Sequence, residues 1–179
     1  MKTKKLTLAG MLIALATVLS FIKLFDMPYG GSVTAASMVP VIIFSMMSDL
    51  KWGLVQASLY GVIQLMIGWY APPAQTFISF LLVILLDYVI AFGSLGFAGS
   101  IYRKMGKNIG GTVISCLAVL FLRFLCHFAS GILIWSSFAP EGQPVWIYSL
   151  LYNGGYMLGE AAVSVVVLLL VNQKLKRKL

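Results

Sequence analysis

Charge is scarce in this chain. Only 10% of its 179 residues are Asp, Glu, Lys or Arg, against roughly 25% in ordinary soluble domains. A soluble protein needs polar surface to cover its core, and there is too little here to make one. With 60% hydrophobic residues, the chain reads as an integral membrane protein. Cysteine is nearly absent as well: Cys116 and Cys126 share one apolar segment, roughly 15 Å apart along a helix axis. Disulfide geometry requires Cα atoms within about 7 Å, so they do not pair with each other and read as helix-packing residues. They leave the redox compartment open. The sequence also has no glycine-rich phosphate loop and no HExxH zinc helix. ATP is therefore expected to be hydrolysed elsewhere, and no metal-ligand set or catalytic residue stands out.

What charge there is leans to one sign, 13 Lys and Arg against 5 Asp and Glu, a formal net +8. Its placement argues for a membrane and against nucleic acid. Of the 13 Lys and Arg, all but Lys23 and Arg123 fall at Lys2, Lys4, Lys5, Lys51, Arg103, Lys104, Lys107, Lys174, Lys176, Arg177 and Lys178. Those positions are alternate connections, the positive-inside pattern. Apolar runs fit for about 30 Å of hydrocarbon are expected at 6–25, 33–48, 52–68, 76–101, 110–135 and 146–172. The second and third are short, and read either as tilted partners or as a near-continuous hairpin turning at Ser48-Asp49-Leu50-Lys51. The first has a basic start but no clean cleavage site, and is expected to be retained. The fold class is thus all-α integral membrane, a single domain over 1–179 with six transmembrane helices and both termini cytoplasmic. The outer connections (26–32, 69–75, 136–145) contain no Lys or Arg, and Lys23 is expected to pair with Asp26. Pro40, inside the second span, predicts a kink. In the first span Gly10-xxx-Ala14 and Ala16-xxx-Ser20 place small groups one turn apart, for internal packing or for docking a separate membrane subunit.

Polar groups inside the spans carry the functional signal, because each is costly in lipid and calls for a partner or a ligand. Asp87 falls roughly 16 Å from the outer end of the fourth span. Arg123, His127, Gly131 and Trp135 repeat every fourth residue along the fifth. Tyr148, Tyr152 and Asn153 lie in the outer half of the sixth. An acid, an imidazole, an amide, phenols (Tyr88, Tyr148) and an indole in one outward-opening layer suit a flat, nitrogen-rich or cationic solute. Plainer readings compete. Arg123 can pair with Asp87 or with Glu160 as a structural ion pair. His127 can be an interhelical donor. Trp135 and Tyr148 can belong to an interfacial belt, and Tyr156 and Glu160 read as packing or inner-half polar glue.

At these residues the sequence resembles the thiamine-specific substrate-binding component of energy-coupling-factor vitamin transporters. The matching pieces are Pro28-Tyr-Gly-Gly-Ser-Val33 with Met38-Val-Pro40; Leu86-Asp-Tyr-Val-Ile-Ala-Phe92; Leu122-Arg-Phe-Leu-Cys-His-Phe-Ala-Ser-Gly131; and Ser137-Phe-Ala-Pro-Glu-Gly142 through Trp146-Ile-Tyr-Ser-Leu-Leu-Tyr-Asn153. The resemblance implies a six-helix protein of the bacterial cell membrane that captures thiamine outside. It implies as partners a transmembrane coupling subunit and two cytoplasmic ATPases, and no cofactor of its own. Carried over, the ligand contacts are Asp87, Tyr88, His127, Trp135, Tyr148 and Asn153. The acid and the amide would take the aminopyrimidine while aromatic and imidazole faces sandwich the rings. Gly10 and Ala14 match the docking face for the coupling subunit. One departure is visible: a loop Trp and a following acid of some members fall at Gly31 and Ala35 here. Tyr29 and Gly31 are the candidate loop contacts, with Tyr29 or another loop aromatic in place of the Trp, or a pocket that closes differently. The alternatives are a subunit of the same type for another vitamin or a pyrimidine precursor of thiamine, an intramembrane lipid-modifying enzyme, and an autonomous channel or carrier.

Overall fold

The computed structural model describes residues 2–175; the basic tail Lys176, Arg177 and Lys178 lies outside the described residues. The elements in chain order are α1 (Lys2–Phe21), a hairpin of β1 (Lys23–Asp26) and β2 (Ser32–Thr34), α2 (Val39–Met47), α3 (Leu50–Ile67), α4 (Phe77–Lys104), α5 (Ile109–Leu133) and α6 (Val145–Leu175). Five of the helices, all but α2, are long and apolar enough to cross a membrane.

Two of the expected spans are shorter than the hydropathy suggests. The first stops at Phe21, and the second shrinks to a helix of 9 residues. At 1.5 Å per residue α2 is about 14 Å long, under half of a bilayer's hydrocarbon thickness. The missing length has become the hairpin, in which Lys23 faces Thr34, Phe25 faces Val33 and Asp26 faces Ser32. Tyr29 (φ 68) and Gly30 (φ 105) supply the left-handed backbone that reverses the chain. Lys23 and Asp26 do pair, at 2.9 Å on the exposed hairpin. Pro40 does not kink a helix. It occupies the first turn of α2, where an amide hydrogen would have no intrahelical acceptor.

The other helices start where short polar side chains cap them. Asp49 accepts from the Trp52 amide at 3.1 Å, Thr76 from Ser79 at 3.2 Å and Asn108 from Gly111 at 2.7 Å. Each satisfies one of the orphan donors of a first turn. Asp49 also takes the Lys5 ammonium at 3.0 Å. The Trp52 amide first, and Lys5 second, hold its carboxyl below the usual 3.8. That cap therefore stays ionised well into acid.

Tyr60, Tyr102, Phe44, Ile42 and Leu95 are fully buried among α2, α3 and α4. The Tyr60 hydroxyl donates to the Ala16 carbonyl at 3.3 Å, and the Gln64 amide donates to the Ser20 hydroxyl at 3.1 Å. The two small-residue pairs of α1 thus part company. Ala16 and Ser20 pack inward against α3, whereas Gly10 and Ala14 are exposed, with nothing within 4 Å of a Cβ at Gly10.

Candidate functional site

Where the ends of α1 and α3, the hairpin, α4, α5 and α6 meet, they enclose a cavity of about 380 Å³. That size falls within the range of roughly 300–1,000 Å³ typical of small-molecule pockets. All eight residues expected at the ligand line it: Asp87, Tyr88, His127, Trp135, Tyr148, Asn153, Tyr29 and Gly31. Gly10 and Ala14 do not, being on the outer face of α1.

Asp87 and Tyr88 are presented by a π-helical stretch of α4, Val83–Ile90. Such wide turns are rare in helices and concentrate at functional sites. Asp87 is the hub of a relay. Its Oδ1 lies 3.0 Å from His127 Nδ1, while Oδ2 accepts from Ser130 Oγ at 2.7 Å and Trp135 Nε1 at 3.1 Å. On the far side of the imidazole, Arg123 Nε–H donates to His127 Nε2 at 3.2 Å. A guanidinium is only a donor, so Nε2 is the lone-pair nitrogen and Nδ1 carries the hydrogen that Asp87 accepts. Arg123 therefore reaches Asp87 through His127. Among the described residues it forms no direct ion pair with Asp87 or with Glu160. The guanidinium also lies 3.9 Å above the Phe92 ring and 2.6 Å from the Met38 sulfur, a cation–π seat that suits a nearly buried arginine.

Aromatic rings close the rim. Tyr29 stacks on Phe138 at 4.3 Å, Phe138 on Trp135 at 6.0 Å, and Tyr70 tilts against Trp135 at 5.8 Å. The hairpin is tied down onto α6. The Tyr152 hydroxyl donates to the Pro28 carbonyl and accepts the Gly31 amide at 3.0 Å. Position 31 is crowded in this arrangement. A Cβ there would stand 2.8 Å from a Tyr156 ring carbon, and the aromatic ring that the hairpin brings to the rim is Tyr29. Gly31→Ala is expected to push the hairpin off α6 and weaken ligand binding by about 1–3 kcal/mol, read by titration of the purified chain. Unchanged affinity would show that the hairpin does not close this chamber.

Close approach of α5 and α6 sets the back wall. A Cβ at Gly131 would meet Ser149 Oγ at 2.2 Å and Asn153 Nδ2 at 2.9 Å. Asn153 is held there, its amide donating to Ser149 and its carbonyl accepting from Tyr156 at 3.1 Å. The Tyr88 hydroxyl is committed too, donating to the Gly68 carbonyl at 2.6 Å; Tyr88 offers the chamber its ring.

Several lining residues have no counterpart among those expected. Trp69 and Tyr70 arrive from the connection after α3, Gln64 from its last turn, and Phe138 from the turn after α5. Ser130, fully buried, gives Asp87 its shortest hydrogen bond. Its position three residues after His127 was a usable signal, since i and i+3 share a helix face. Tyr156 and Glu160, expected as packing or inner-half polar glue, with Glu160 also weighed as a partner for Arg123, both line the cavity.

Membrane-length helices around an aromatic chamber with a relayed acid define the class: a multi-pass membrane protein whose chamber suits a small flat solute. The particular family follows from relatives. The chain belongs to the thiamine transporter protein family, whose sequence profile matches residues 6–179. It is similar to the thiamine transporter ThiT of Bacillus subtilis, 37% identical over 155 residues, 82% of this chain and 77% of that one. It is also similar to ThiT of Lacticaseibacillus paracasei, 25% identical over 144 residues, 73% of this chain and 68% of that one. The fold matches a solved structure of ThiT from Listeria monocytogenes with a TM-score of 0.80 at 20% identity, covering 99% of this chain and 97% of that one. This is a family of transporters rather than enzymes, so the lipid-modifying alternative falls away.

Proposed function

We propose that the chain is the thiamine-binding component of an energy-coupling-factor importer, capturing thiamine from outside and handing it to a coupling subunit driven by two cytoplasmic ATPases. One observation carries the reading: eight residues picked from scattered sequence positions line a single cavity in a member of the thiamine transporter family. Thiamine is a pair of flat rings bearing one positive charge. Rings such as Trp135, Tyr148 and His127 stack on it and attract the cation, while Asp87 and Asn153 offer polar partners to the aminopyrimidine. The relay from Arg123 holds His127 and Trp135 in place before the ligand arrives, which lowers the cost of ordering them on binding.

In this reading the chain is a single membrane domain, with the hairpin and α2 together making the sixth crossing and both termini on the cytoplasmic side. The exposed strip of Gly10 and Ala14 on α1, flanked by Met11, Leu15 and Val18, is the docking face for the coupling subunit. Release inward requires that docking favour a conformation with lower thiamine affinity, since only differential affinity shifts such an equilibrium.

Tryptophan fluorescence tests the binding step. Of four tryptophans, Trp69 and Trp135 line the chamber. Thiamine is expected to quench the detergent-purified chain at saturable, low concentration, and His127→Ala or Trp135→Ala should remove most of that response. Saturation by riboflavin, biotin or a pyrimidine fragment in preference to thiamine would replace the proposed ligand.

A further inference from the structure

Two acids line the cavity, and only one is balanced among the described residues. Asp87 is joined through His127 to Arg123, and the hydrogen-bond pattern leaves that imidazole neutral. The charges of Asp87 and Arg123 therefore cancel along the relay. Glu160 has no such partner. It is 1% exposed, and its Oε1 accepts from the Thr34 amide at 2.8 Å and the Thr34 hydroxyl at 2.6 Å. Its Oε2 is buried with no hydrogen-bond partner among the described residues. Lys23 also lines the cavity, but its ammonium is exposed and paired with Asp26. With Glu160 ionised, the charged groups inside the chamber, Asp87, Glu160 and Arg123, would leave one formal negative charge over. A buried carboxylate oxygen without a donor is among the costlier groups a fold can carry, and a ligand bearing a single positive charge would offset it.

We propose that Glu160 is the counter-charge for the transported cation, its free Oε2 facing the positive ring of the ligand, and that it sets the preference for a cation over a neutral isostere. The proposal rests on the thiamine reading above and deepens it. Glu160 also joins that charge to the hairpin, because the oxygen beside the free one holds Thr34 on β2.

The test compares thiamine with its neutral thiophene isostere, in which carbon replaces the charged ring nitrogen, by titrating the full-length purified chain. The wild type is expected to prefer thiamine. In Glu160→Gln, which keeps the shape and an acceptor for Thr34, thiamine should weaken by about tenfold or more while the isostere barely changes, so the preference collapses. Glu160→Met reads the same ratio if the glutamine variant is not recovered. Thr34→Val, which removes the hydroxyl donor but keeps the amide contact and the acid, should preserve the preference. Equal weakening of both ligands in Glu160→Gln, an unchanged preference, or a collapse of the preference in Thr34→Val would each overturn the counter-charge role. A wild type that binds neither ligand would instead overturn the thiamine reading on which it stands.

Discussion

Asp87→Asn is expected to weaken thiamine binding by about 1.5–3 kcal/mol, roughly ten- to 150-fold in Kd. The size of the effect comes from what the carboxylate holds. Three donors converge on it, from His127, Ser130 and Trp135. An asparagine can satisfy them only at its single oxygen, and it turns its own N–H groups toward one or two of them. Trp135 then loses its carboxylate partner and keeps only the Ser130 hydroxyl, at 3.0 Å, and Arg123 loses the charge at the other end of the relay. Ser130→Ala separates these contributions. It removes one donor and leaves the carboxylate, so its loss should be about 0.5–1.5 kcal/mol. Isothermal titration of both variants decides the matter. Affinity unaltered in Asp87→Asn would take Asp87 out of the ligand's surroundings.

The largest effect on stability is expected far from the chamber, at Gly99. There α4 crosses α2 so closely that a Cβ would stand 1.8 Å from the Ser45 backbone carbonyl oxygen. A side chain can rotate aside, but a carbonyl inside a helix cannot move without displacing the helix. Gly99→Ala should therefore cost at least the 1–3 kcal/mol usual for overpacking. Alanine's better helix propensity, worth about 1 kcal/mol, returns only part of that. Thermal unfolding in detergent should show a clearly lowered midpoint. A midpoint equal to or above wild type would mean that α2 and α4 are not in this register. Gly131→Ala makes a milder contrast, since the group it meets, Ser149 Oγ, is a side chain that can turn.

Hydropathy and the sparse charges were enough to read the long helices from the sequence, because a segment in lipid has to satisfy its backbone polar groups within itself. The starts of α3, α4 and α5 came within two residues of expectation, as their caps are local. The second span was misjudged for the opposite reason. Whether Ser32-Val33-Thr34 continues a helix or folds back as a strand depends on β1 across the hairpin and on α6, where Thr34 meets Glu160. Pro40 read as a kink only while the helix was thought to begin before it. Likewise Arg123 was weighed against the two acids. Its actual acceptor, His127, lies one turn along the same helix, a spacing in plain view whose meaning depended on where Asp87 would arrive.

By itself the sequence determined the kind of molecule this is, a basic-ended membrane bundle, and a set of polar residues that proves to line one cavity. Those are consequences of transfer free energy and residue chemistry, and both are properties of single segments. Only the tertiary structure decided how the charges share the chamber. Interaction between charges depends on distance and on the low dielectric between helices that are remote in sequence. It linked Asp87 to Arg123 through an imidazole, set Tyr29 at the rim, and left one buried oxygen of Glu160, a residue lining the cavity, without a donor among the described residues.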